Sequence, residues 1–170
     1  MIELQNTDKE RIIEILTFAF ESNASVNYIV NQDEQRMERI RNLMRYSVRV
    51  CSVFGKVVLS DDRNAAALVM HGPKGFSLRA LLWELELIFR VSGLSNLKTV
   101  LRREALIKAQ HPLKTFYYLW FIGVHPAHRG HGIGSDLLVE LLADAERLGL
   151  PVYLETSAIR NVPWYEKFGF

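Results

Sequence analysis

The chain has 170 residues, of which 49% are hydrophobic and 24% charged, with a net charge of +2. That length and apolar share support a single domain, residues 1–170, around one core, and so mild a charge, without a long basic run interleaved with aromatics, argues against a nucleic-acid partner. The lone Cys51 excludes an intramolecular disulfide and, with acids in MIELQNTDKERII where a signal peptide needs an apolar run, points to the cytoplasm. No His or acid adjoins Cys51, so it reads as a buried small hydrophobe rather than a nucleophile.

In chain order, a short strand is expected at Ile2 to Leu4, then a helix opened by a capping box of Thr7 and Glu10, with Ile12, Ile13, Leu16, Ala19 and Phe20 on one face. A second helix, about Asp33 to Tyr46, shows Met37, Ile40 and Met44 on one face, with acids early and arginines late as the helix dipole prefers. The β-rich runs Val48–Val53, Lys56–Leu59 and Ala65–Met70 read as strands, punctuated by Gly55 and by the turn-prone Asp61-Asp62-Arg63-Asn64. His71-Gly72-Pro73-Lys74-Gly75 closes them.

Two helices follow by pattern, Phe76 to Val91 and about Asn96 to Gln110. The first is interrupted by Arg79, Glu84, Glu86 and Arg90, whereas a membrane span needs about 20 nearly uncharged residues. It reads as extra core packing, a lid over a substrate site or a dimer surface. Arg102, Arg103 and Lys108 of the second read as a solvated face.

The stretch FYYLWFIGV, HPAHRGHGIG, SDLLVELLADAERLG reads strand, glycine-rich turn, helix. Glycine at alternate positions 130, 132 and 134 lets backbone N–H groups converge on an anion, and a helix from Ser135 aims its positive end at the same point. Such a turn suits a diphosphate. A tight connection that simply needs positive φ is the plain alternative. A dinucleotide fingerprint fits poorly: five residues separate Val124 from Gly130, Ser135 stands where its third glycine belongs, and little chain remains for the second half of such a sheet.

Arg129-x-x-Gly132-x-Gly134, preceded by Gly123-Val124-His125-Pro126, resembles the acyl-CoA-binding motif of the GNAT (Gcn5-related) N-acetyltransferases. VYLETSAIRNVPWYEKFGF supports the likeness, with Asn161, Tyr165 and Gly169-Phe170 where that family has its strand, its Asn-to-Tyr helix and its closing Gly-Phe. Within the family, LETSAIRNVPWYEKFGF looks most like the puromycin N-acetyltransferase-like branch. The resemblance covers about the last third of the chain. It implies an α/β (α+β) fold, a mixed, mostly antiparallel sheet flanked by helices, with a helical insertion at about 76–110 before the central strand. It also implies acetyl-CoA as acetyl donor and direct transfer to a primary amine of a small molecule, with a possible homodimer. A protein amine as acceptor, or a non-catalytic acyl-CoA sensor or scaffold, is the alternative.

Carried over, the resemblance places backbone groups of Ile122 and Val124 against the pantetheine arm, with Gly123 easing a bulge. The turn of Arg129, Gly130, His131, Gly132, Ile133, Gly134 and Ser135 holds the diphosphate. Tyr165 acts as general acid toward the coenzyme A sulfur, and Asn161 touches the cofactor. Glu155, at the end of the Val152–Leu154 strand, is the first choice of base, with His125 not separable from it by spacing. Phe20, Asn27 and Tyr28 fall in the segment that lines the acceptor site in the family. His125, His128 and His131 recur every third residue but span a proline and a glycine turn, so no metal is expected. Family members usually continue past Gly-Phe into a further pair of strands, and this chain stops at Phe170. Either an edge left open to another subunit or a truncated chain would explain that.

Overall fold

Helical spacing of Ile12, Ile13, Ile15 and Leu16 builds the first helix, α1 (Asn6–Ala19), and buries all four. This computed structural model describes residues 6–71, 91 and 97–170. The expected strand at Ile2–Leu4 and almost all of the Phe76–Val91 helix lie outside the described residues. α1 begins one residue before Thr7, which therefore sits inside the first turn rather than ahead of it. A short helix, α2 (Ala24–Ile29), follows; the Asn23 side chain caps it by accepting from the Val26 N–H.

The largest departure from the sequence reading comes next. A single helix, α3 (Arg36–Phe54), runs through the segment expected to be the strand Val48–Val53. Ile40, Leu43, Met44, Ser47, Val48 and Cys51 recur at helical spacing and are all buried, so one continuous apolar stripe outweighs the β-propensity of the valines. Ser47 and Ser52 donate to the Leu43 and Val48 carbonyls one turn back, satisfying both hydroxyls within the helix.

Among the described residues the sheet has four strands in the order β1 (Gly55–Leu59), β2 (Ala65–His71), β3 (Tyr117–Val124) and β4 (Val152–Tyr153). The first two pairings are antiparallel and β3–β4 is parallel. Helix α4 (Leu97–Gln110) precedes β3, α5 (Ile133–Arg147) connects β3 to β4, and α6 (Val162–Glu166) lies near the C-terminus. β2 is buried on both faces: Ala66, Leu68 and Met70 face α1 and α3, while Ala65, Ala67 and Val69 face α5.

β3 carries a bulge at Trp120, not at Gly123. Leu68 pairs with Phe121 and Val69 with Leu119, so Trp120 has no opposite residue and both Trp120 and Phe121 turn toward the α1/α3 side. Gly123 instead permits close packing of α1, since a Cβ there would stand 2.7 Å from the Ala19 Cβ.

Asp144 on α5 ties the far side of the sheet together. It is buried, accepts from Lys56 Nζ at 2.7 Å and the Tyr117 hydroxyl at 3.1 Å, and pairs with Arg147. Burial alone would raise its carboxyl, but hydrogen bonds from Lys56, Arg147 and Tyr117 outweigh it and hold the group below the usual carboxylate range. Asp144→Ala is expected to cost about 2–3 kcal/mol in urea unfolding. Because the folded-state pKa is lowered, that contribution is complete above the unfolded value of about 4 and fades as pH falls through the folded one. The gap between variant and wild type should therefore narrow in acid.

Candidate active site

The glycine turn follows β3 through a short 3₁₀ segment, Pro126–His128. Gly130 and Gly132 have φ of 83° and 81°, the left-handed region that favours glycine, and a Cβ on either would meet nothing within 4 Å. Backbone conformation, with open space above it, is therefore what requires glycine at both. Gly134 is there for closeness: a Cβ would approach Val124 Cγ2 to 3.0 Å. The helix opens at Ile133, two residues ahead of the expected Ser135, with Gly132 as its N-cap. The Ser135 and Asp136 N–H groups donate to the Gly132 carbonyl at 2.7 and 3.0 Å, so both are engaged in the first turn of the helix.

Several contacts brace this turn from behind. The Arg129 guanidinium donates to the Ala19 carbonyl at the end of α1, and its backbone N–H donates to the Pro126 carbonyl. His125 N–H donates to the Asn64 carbonyl at 2.8 Å, Arg11 holds Arg63 O and Asn64 Oδ1, and Arg63 pairs with buried Asp8. The β1–β2 turn and α1 thus fix where β3 ends. His125 also accepts from the Ala127 N–H and His131 contacts the His128 carbonyl.

β3 and β4 pair only at Tyr117–Val152 and Tyr118–Tyr153. Beyond that point β3 continues for six residues, Leu119 to Val124, without its parallel neighbour. Ile122, Gly123 and Val124 line the strand there. α6 closes the same side: Trp164 Nε1 donates to the Ser135 hydroxyl at 3.1 Å, and the Tyr165 ring packs edge-on against Trp164 at 4.7 Å between centroids. Burial pushes the Tyr165 hydroxyl above the ordinary phenol value. Asn161 stands at the start of α6, after a 3₁₀ turn, with no side-chain capping bond among the described residues.

Glu155 sits two residues past the end of β4, and the fold gives it partners that the sequence did not suggest. Its Oε2 accepts from the Tyr118 hydroxyl at 2.6 Å and its Oε1 lies 2.8 Å from His111 Nε2. The His111 ring is enclosed by Tyr118, Phe116 and Tyr153, with centroids 5.0, 5.3 and 5.3 Å away. This places carboxylate, imidazole and phenol together where the strands part. His125, the alternative base, lies at the other end of β3.

A cavity of about 570 Å³ is lined by Ala24, Ser25, Tyr28, Arg102, Arg103, Leu106 and Ser157; Ser157 comes two residues after Glu155 in the chain. Arg103 is half-buried and donates to Ser25 Oγ at 2.9 Å, so it does not belong to a solvated face as its sequence context suggests. Of the other acceptor-segment residues, Phe20 packs on Phe121, while Asn27 is bound to Arg36 and to the Glu21 and Asn23 carbonyls.

The sequence profile of the Acetyltransferase (GNAT) family matches residues 105–170. That segment is similar to the GNAT acetyltransferases. It begins inside α4 and includes His111, β3, the glycine turn, Glu155 and Tyr165. An uncharacterized N-acetyltransferase of Schizosaccharomyces pombe is 39% identical over 54 residues, which span 32% of this chain and 22% of that protein. Solved structures share this mixed α/β fold. A histone acetyltransferase HPA2 and related acetyltransferase from Corynebacterium glutamicum aligns with a TM-score of 0.67 at 19% identity, over 99% of this chain and 82% of its own. A mosquito arylalkylamine N-acetyltransferase like 5b aligns at 0.61 and 18% identity, over 97% and 79%. Among the described residues no helix is long and apolar enough to cross a membrane.

Proposed function

We propose that the protein is an N-acetyltransferase that moves the acetyl group of acetyl-CoA directly to a primary amine of a small molecule within a ternary complex. The observation that carries this reading is the parting of β3 from β4 after Tyr118 and Tyr153, with the glycine turn at the open end and Tyr165 held against the helix it starts. The turn from Arg129 to Ser135 receives the diphosphate, and backbone groups of Ile122 to Val124 align the thioester, supported by Asn161. The amine nitrogen forms the new bond to the acetyl carbon as the carbon–sulfur bond breaks. Glu155 takes the ammonium proton, directly or through one water, and Tyr165 gives its proton to the departing sulfur. Since Tyr165 is held protonated by burial, it enters the reaction as an acid.

The motif of the C-terminal segment favours the puromycin N-acetyltransferase-like branch and thus a metabolite-like or antibiotic-like amine. A cytoplasmic setting and a homodimer complete the proposal. Calorimetry with acetyl-CoA and free coenzyme A, run beside thiol release with a panel of small amines, tests it. Micromolar binding with amine-dependent thiol release is expected. Tight binding without turnover would transfer the role to an acyl-CoA sensor, and absence of binding would leave the glycine turn as a structural connection only.

A further inference from the structure

Two arginines line the cavity that Ser157 also borders. Arg102 and Arg103 point to it from the same face of α4 as Leu106, at i+4 and i+3 spacing. Arg103 is held in place: it donates to Ser25 Oγ, the Ser25 N–H donates to Ser157 Oγ, and Ser157 Oγ donates to Asn23 Oδ1. One of its five donors is engaged there, which leaves a fixed guanidinium fork with capacity to spare. No Asp or Glu is among the described lining residues. Tyr28 and Leu106 supply apolar surface, and the volume suits a small organic molecule. Ser157, joined to Ser25 by a hydrogen bond, is two residues beyond Glu155 in the chain. Ser25, Tyr28, Arg102 and Arg103 also lie outside the segment matched by the family profile, where specificity rather than shared chemistry is expected to reside.

We infer that this cavity takes the anionic group of the acceptor, a carboxylate or a phosphate, so that the substrate is an amine carrying negative charge and Arg102 and Arg103 select it. The inference rests on the acetyltransferase reading for the word acceptor; the anion site itself does not. A planar fork pairs with either oxyanion, and the exposed position of Arg102 makes the attraction sensitive to salt.

The test is an NMR titration of the intact protein with matched probes: phenylalanine against phenylalaninamide for the carboxylate, and phosphoethanolamine against ethanolamine for the phosphate. The member that carries the carboxylate or phosphate should bind about tenfold or more tightly in at least one pair, and the pair with the larger gap identifies the anion. In R102Q/R103Q the gap should close. Equal binding within both pairs, or a gap that survives the double substitution, overturns the inference. Acetyl-CoA titrated into the same samples separates the two claims. Retained acetyl-CoA binding without anion preference removes this inference alone, and an arginine-dependent preference without acetyl-CoA binding removes the acetyltransferase reading instead.

Discussion

Tyr165→Phe is expected to lower turnover by about 10²–10⁴-fold and to leave acetyl-CoA affinity within about twofold of wild type, since a phenyl ring preserves the hydrophobic packing. The ring is positioned by packing, against Trp164 on one side and Phe170 at 5.6 Å on the other, and Trp164 is anchored on Ser135 at the start of α5. Removing the hydroxyl deletes the proton donor and little else. The sign of the pH effect follows from burial, which raises the phenol above its ordinary value. A general acid must be protonated, so activity is present below its pKa and falls as pH rises through it; the raised value moves that fall above the ordinary phenol range of about 10. Stopped-flow thiol release followed into alkaline solution as far as the fold persists should show the limb in wild type and not in the variant. Geometry carries much of the step, because a thiol near 8.5 is a stronger acid than the phenol that protonates its conjugate base. Unchanged turnover in Tyr165→Phe would remove Tyr165 from the chemistry and leave it as core packing.

The parts of the fold legible from sequence are those where one local signal acts alone. The apolar face of α1, the strands around Lys56–Leu59 and Ala65–Met70, and the strand–turn–helix from Tyr117 to Arg147 all stand where periodicity and glycine put them. The reading failed where two signals compete. Val48, Val50 and Val53 favour a strand locally, yet Leu43, Ser47, Val48 and Cys51 continue the buried stripe of α3, and tertiary burial decides. Gly123 reads as a bulge in a strand pattern because sequence cannot show that Ala19 packs over it. At the site, backbone donors of the turn were legible because they are local. The partners of Glu155 were not: His111 and Tyr118 are 44 and 37 residues away, and no spacing rule links an imidazole at the end of one helix to a carboxylate beyond a two-residue strand. Arg103 was misjudged for the same reason, as its place in the cavity depends on α2, a helix too short to announce itself by periodicity.

Glu155→Gln is expected to reduce kcat by about 10²–10⁴-fold with little change in the KM for acetyl-CoA. The amide keeps the shape and can still accept from the Tyr118 hydroxyl, so what is lost is basicity. His111 contacts Glu155 at 2.8 Å from Oε1, inside a box of three aromatic rings, while Tyr118 binds the other oxygen, so on the proposed mechanism it works through Glu155 rather than on substrate. His111→Asn should therefore cost about tenfold in kcat, as a base held less rigidly loses orientation. The decisive measurement is the double-mutant cycle in kcat. If His111 works through Glu155, Glu155→Gln with His111→Asn will be no slower than Glu155→Gln alone; if it merely supports the fold, the two losses will multiply. A wild-type rate in Glu155→Gln would move the base elsewhere, and His125, held at the far end of β3 by Asn64, would be the next residue to substitute.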